Sequence, residues 1–180
     1  NAERHYTEWS SSPSPRDPVH DSAFMASFIV DNNWRARGLM DSLSFWALSD
    51  IFEEWRIGDT PFHGGFGLIN IQGLKKASYH GYWFLSRLGD EVLAEGDSYA
   101  VTRRRDGSLA ILMWNFCHYR DDANDGRLLA AAKLDEIYGL FDVQPCREFA
   151  LNLDGVGTSV RLQTTRFDRE HGSVYDAWVD

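Results

Sequence analysis

The chain has 180 residues, 43% of them hydrophobic and 14% aromatic, enough apolar side chain to bury a core and to exclude disorder. Its formal charge of −9, with Arg103-Arg104-Arg105 as the one basic cluster, excludes a nucleic-acid partner, which needs grouped Lys and Arg. Two cysteines, Cys117 and Cys146, exclude a disulfide framework and a zinc site, and no apolar run approaches the roughly 18 residues of a membrane span.

The chain opens on Asn1 and starts almost directly on a strand, with no signal peptide in view, so an upstream part is expected to be removed or missing. His5-Tyr6-Thr7-Glu8-Trp9 reads as that strand, ending on a carboxylate beside an aromatic, with the polar segment Ser10–Ser14 behind it. Asp17-Pro18 then supplies an N-cap and a first-turn proline for a helix running to about Asn32. Leu39–Leu48 is the second strand. It carries Trp46 to its end, followed by Asp50, Glu53 and Glu54.

A long loop through Asp59-Thr60-Pro61 and Gly64-Gly65-Phe66-Gly67 leads to Leu68–Ile71. Ser78 is then expected to cap a second helix, Tyr79–Leu88, which stops at Gly89. This β–α–β–loop–α order is the rhythm of a parallel α/β barrel. After Gly89 the pattern becomes alternating. Tyr99–Arg105 and Ser108–His118 flank the hairpin signal Asp106-Gly107, and Arg147–Leu153 and Ser159–Phe167 flank Asp154-Gly155. That half reads as an antiparallel β-sandwich, with Leu128–Leu134 open as strand or short helix.

Two consecutive strand ends thus carry acids and aromatics to one rim, where α/β barrel enzymes place catalytic groups. Carboxylates and flat rings together suit cleavage of sugars. From spacing alone Glu8 is equally a solvated strand-end carboxylate, Trp46 a core residue, and Glu53-Glu54 a surface acidic pair. His63 with Gly64-Gly65 lacks the Lys-Ser/Thr and following helix of a phosphate loop, and reads as a tight turn presenting Phe62 and His63 at the rim. His5 and His20 read as structural. Too few convergent oxygen ligands are visible for calcium, so neither metal nor cofactor is expected. A complete eightfold barrel takes about 250 residues, more than this chain holds, so it reads as the tail of a larger enzyme.

Several motifs come in a telling order: His5-Tyr6-Thr7-Glu8-Trp9, Pro18-Val19-His20-Asp21, Ser44-Phe45-Trp46-Ala47-Leu48-Ser49-Asp50, Phe52-Glu53-Glu54 and Phe62-His63-Gly64-Gly65-Phe66-Gly67-Leu68. Val101–Ser108 and Trp114-Asn115 follow. Together they resemble the carboxyl-terminal part of family 39 glycoside hydrolases, the β-xylosidase group, closely over residues 5–120 and loosely to Trp178. The resemblance implies strands seven and eight of a (β/α)8 barrel over residues 1–89 and an accessory β-sandwich over 90–180. It implies a retaining mechanism on xylosides with Glu8 as nucleophile. The sugar would be held by Trp46, after which a cis Trp46–Ala47 peptide is expected, by Glu54 with Glu53 supporting the loop, and by Phe62 and His63 at the rim.

The family's acid/base sits in an Asn-Glu-Pro-type motif, and no Asn-Glu-Pro occurs here, so this chain alone is expected to be inactive. Trp9 and Ser10 stand where the family has phenylalanine and asparagine, which bears on aglycone preference. The alternatives are a carbohydrate-binding β-module without catalysis, an interaction or structural α+β domain with no site, and an α-L-iduronidase-like hydrolase, the last short of basic groups for an acidic sugar. Compartment, cytoplasmic or secreted, and homo-oligomer formation are left open by the sequence.

Overall fold

The computed structural model describes residues 2–52, 58–123, 133, 136–143, 145–155 and 159–180. Strand β1, His5–Trp9, and strand β2, Ser42–Phe45, run parallel, with His5 opposite Ser42, Tyr6 opposite Leu43 and Trp9 opposite Phe45. The register slips by one residue between Tyr6 and Trp9. Parallel neighbours need a crossover, and helix α1, Phe24–Ala36, provides it. Trp9 anchors the layer, its ring 5.4 Å from Phe28 of α1 and 5.6 Å from Phe45 of β2.

The first helix differs from expectation at both ends. Asp17 does cap, its Oδ1 accepting from the Val19 N–H at 3.0 Å, but the turn it caps is a short 3₁₀ turn, Pro18–Asp21. Ser22 then turns extended and α1 starts afresh. The break buries Val19, His20 and Asp21 together, which one face of a continuous helix cannot do for three successive residues. At the far end Asn32 and Asn33 bond back to the carbonyls of Phe28 and Ile29, and α1 continues to Ala36, just before Gly38.

Helix α2, Ala77–Leu85, packs along α1 and reaches β2 through Tyr82, 6.0 Å from Phe45. Its cap is Lys76, whose side chain makes no capping hydrogen bond, rather than Ser78. Ser78 lies buried in the first turn, and Lys76 is buried beside it. Between β2 and α2 the segment Leu68–Ile71, to which the long loop leads, makes bridges from Ile69 to Ser49 and Lys75.

Beyond Gly89 a three-stranded antiparallel sheet forms from β3, Glu91–Gly96, β4, Tyr99–Arg103, and β5, Leu109–Met113. The Asp106-Gly107 turn joins β4 to β5 as expected. Arg104 N–H donates to Ser108 O, and Gly107 takes the positive φ of 82° that the turn requires. The three arginines decorate its surface: Arg103 pairs with Glu91, Arg105 with Asp90, and Arg104 donates to the carbonyl of Arg87. Strand β3 was not expected. Conversely, Arg147–Leu153 and the described residues of Ser159–Phe167 form no strands. Leu151, Leu153, Val160 and Leu162 stay exposed there, and an unburied hairpin has little to hold it. Among the described residues the second half is therefore one sheet, not two. Residues 128–132 and 134, in the segment left open as strand or helix, lie outside them.

Two cores meet at α1. Phe24 stacks on Phe141 at 4.4 Å, in a cluster with Met25, Phe62, Ile137 and Tyr175. Val30 and Trp34 pack on Ala100 and Leu112 of the sheet and on Trp114 just after β5. Asp31 fastens that contact, accepting from Trp114 Nε1 at 2.9 Å and pairing with Arg35 at 2.8 Å. Cys117 and Cys146 are free, Cys117 half-buried and Cys146 exposed. No described helix is long and apolar enough to cross a membrane.

Candidate functional site

The carboxyl ends of β1 and β2 lie side by side, joined by Trp46 N–H donating to Trp9 O at 3.0 Å. Trp9 and Phe45 turn their rings into the helical layer. Glu8, just before Trp9, stays exposed, and so does Tyr6 at 52%. Trp46, just after Phe45, is half-buried with its ring 5.6 Å from Phe52. The Trp46–Ala47 peptide is cis, as expected. An acid and an indole thus stand on adjacent strand ends, clear of the helix-facing rings.

Other expected residues fall differently. Phe62 is not at the rim. It is 1% exposed, 5.7 Å from the Tyr175 ring and 5.6 Å from Trp178, because the terminal segment folds back over it and offers an apolar pocket. His63 is half-buried, its Nδ1 3.1 Å from the Thr60 carbonyl. Glu53 and Glu54 lie outside the described residues. His5 is structural as expected, bonded to Ser42 Oγ at 2.8 Å. His20 is structural too, fully buried, with Nδ1 on Gly64 O at 2.9 Å. Among the described residues no group of His, Cys, Asp and Glu is placed to hold a metal.

Beneath the two strand ends lies a charged cluster that the sequence reading passed over. Lys76, with no exposed surface, sets its ammonium 2.5 Å from Asp21 Oδ1, 2.8 Å from Gly65 O and 3.3 Å from Asp50 Oδ2. The ammonium thus hydrogen-bonds Gly65 and Asp50 and pairs by charge with Asp21. The carboxylates reach on to the glycine-rich loop: Gly64 N–H donates to Asp21 Oδ2 at 2.7 Å and Gly67 N–H to Asp50 Oδ1 at 2.6 Å. Loop and strand end are also stitched by backbone, with Ala47 N–H on Phe66 O and Leu68 N–H on Ala47 O.

Burial raises the Asp50 carboxyl above its ordinary range, against the pull of Lys76. Burial likewise lowers His20, against the neighbouring Asp17 carboxylate. Neutral His20 bridges outward, its Nε2 3.3 Å from Ser12 Oγ and 3.4 Å from Ser10 Oγ in the loop behind Glu8. The only sequence signals for this cluster were a proline-led Pro18-Val19-His20-Asp21 and a lysine at a helix start. Neither announces a buried ion pair.

Comparison with known proteins places this arrangement. The chain is 42% identical over 111 residues to a β-xylosidase of Geobacillus stearothermophilus, covering 62% of this chain and 22% of that protein. It is 48% identical over 88 residues to a β-xylosidase of Caldicellulosiruptor saccharolyticus, covering 48% and 18%. The crystal structure of a monomeric β-xylosidase from Caulobacter crescentus superposes with a TM-score of 0.57 at 39% identity, over 66% of this chain and 24% of that one. The chain thus spans about a fifth of the length of these curated relatives. The family model described as Glycosyl hydrolases family 39 matches residues 1–138. With that match running across both strand ends, the loop of Gly64 to Gly67 and the Lys76 cluster, the chain belongs to glycosyl hydrolases family 39.

Proposed function

We propose that this chain is the carboxyl-terminal part of a retaining β-xylosidase and that Glu8 is its nucleophile. The observation that carries the proposal is the exposed Glu8 on the strand end beside Trp46, in a chain of this family. In this reading residues 1–89 complete a (β/α)8 barrel and residues 90–180 form an accessory β-domain. The second carboxyl group, needed about 5 to 5.5 Å from Glu8 in a retaining site, comes from a further part of the polypeptide.

Glu8 attacks C1 of the bound xyloside while the second carboxyl group passes its proton to the departing oxygen. A covalent xylosyl ester forms on Glu8. The second group, now a carboxylate, takes a proton from water, the water oxygen attacks C1, and Glu8 leaves as carboxylate. Trp46 supplies the floor under the sugar ring, Glu54 accepts from sugar hydroxyls with Glu53 supporting its loop, and His63 lies near the rim. Phe62 belongs to the core and shapes the loop from beneath.

Glu8→Ala in the full-length protein is the test. Xyloside hydrolysis should fall to background, and added azide should restore turnover by attacking the face Glu8 vacates, giving the α-xylosyl azide. Retained hydrolysis, or a β-azide product, would remove Glu8 from the nucleophile role.

A further inference from the structure

We infer that Lys76 is a positioning residue that holds the Glu8 and Trp46 strand ends in one arrangement, an inference that rests on the proposed nucleophile. Lys76 itself touches neither Glu8 nor Trp46. Its ammonium sits between Asp21, from the turn behind β1, and Asp50, from the segment behind β2, and it also holds Gly65 of the intervening loop.

From each anchor a short path leads to the site. On one side Asp21 fixes Gly64, whose carbonyl is bonded to His20, and His20 meets Ser10, two residues beyond Glu8. On the other, Asp50 fixes Gly67, and the adjoining Phe66 and Leu68 clamp Ala47, the residue after Trp46. Phe52, two residues beyond Asp50, lies against the Trp46 ring. Two buried carboxylates facing each other would repel. One buried cation between them turns that repulsion into a three-way tie.

A displacement of about 1 Å between nucleophile and sugar floor is enough to cost about 10²-fold in rate. The test therefore separates geometry from folding. Lys76→Met is made in the full-length protein, and kcat and KM are measured per active site, titrated with an activated 2-deoxy-2-fluoro-xyloside. The expected result is a kcat/KM lower by about 10²-fold per titrated site. Wild-type kcat and KM per titrated site, whatever the melting temperature, would mean that Lys76 serves the fold alone.

Should Lys76→Met fail to fold, Asp50→Asn takes its place. It keeps the Asp21–Lys76 pair and an acceptor for Gly67, so the protein should fold, and kcat/KM should fall by about tenfold through loss of the charge on the β2 side. Unchanged constants in Asp50→Asn would overturn the inference. Glu8→Ala is measured beside both. If it remains active, the nucleophile assignment fails and the inference with it. If it is dead while the Lys76 and Asp50 variants match wild type, the inference alone fails.

Discussion

His20 shows how one buried side chain ties stability to pH. Burial lowers its pKa below the ordinary 6.5, and His80, half-buried and stacked on Phe167, is lowered for the same reason. In the unfolded chain both imidazoles take a proton as pH falls through 6.5, whereas in the folded chain they resist it. The unfolded state then binds more protons, so stability present above 6.5 is lost as pH falls below it. Asp50 works with the opposite sign. Its raised pKa gives a contribution present below 3.8 and lost as pH rises from there. The free energy of unfolding should therefore decrease between about pH 7.5 and 5.5, and the decrease should shrink in a His20→Gln/His80→Gln variant. Denaturant titrations at several pH values give that slope directly, and an unchanged slope in the variant would contradict the assignment.

The loop of Gly64 to Gly67 is the element on which the site depends most. A Cβ on Gly67 would stand 2.3 Å from the Asp50 backbone nitrogen and 2.5 Å from the Ser49 carbonyl carbon, backbone atoms that cannot swing aside. Gly67→Ala should therefore push loop and β2 segment apart, at a cost of about 1–3 kcal/mol. In the full-length protein its melting temperature and xyloside kcat/KM should fall together, and wild-type values of both would show that the two segments are free to separate.

This element also marks what was legible in the sequence. β-type runs ending on aromatics placed β1 and β2, and Asp106-Gly107 placed the hairpin, because those signals are local. Strand β3 escaped because all six of its residues are exposed, which leaves no apolar alternation to find. Phe62 was expected at the rim because its neighbours are glycines and a histidine. Its burial depends on Tyr175 and Trp178, more than a hundred residues away. The Asp21–Lys76–Asp50 tie is likewise assembled from three distant segments, and no local pattern distinguishes Lys76 from the exposed lysine beside it.

At the scale of the molecule, one face of the β1–β2 layer is packed on helices while Tyr6, Glu8 and Leu48 remain exposed. A parallel pair open on one face is unusual, since such sheets are normally covered on both. The proposed barrel accounts for it: further strands would close against these edges and bring the second carboxyl group over Glu8. The terminal segment completes the other side. Asp176 gathers Tyr138, Ser173 and Arg169, and Tyr138 in turn accepts from the Ala23 N–H just before α1. The end of the chain is thereby fastened to the first crossover helix, and residues on both sides of Gly89 share one core.

The most direct measurement is to inactivate the full-length protein with a 2-deoxy-2-fluoro-xyloside bearing a good leaving group and to map the labelled peptide by mass spectrometry. One fluoroxylosyl group per protein, esterified to Glu8 within His5-Tyr6-Thr7-Glu8-Trp9, is the expected result. A label on any other carboxylate, or none despite turnover of the unfluorinated xyloside, would contradict the assignment of Glu8 as nucleophile.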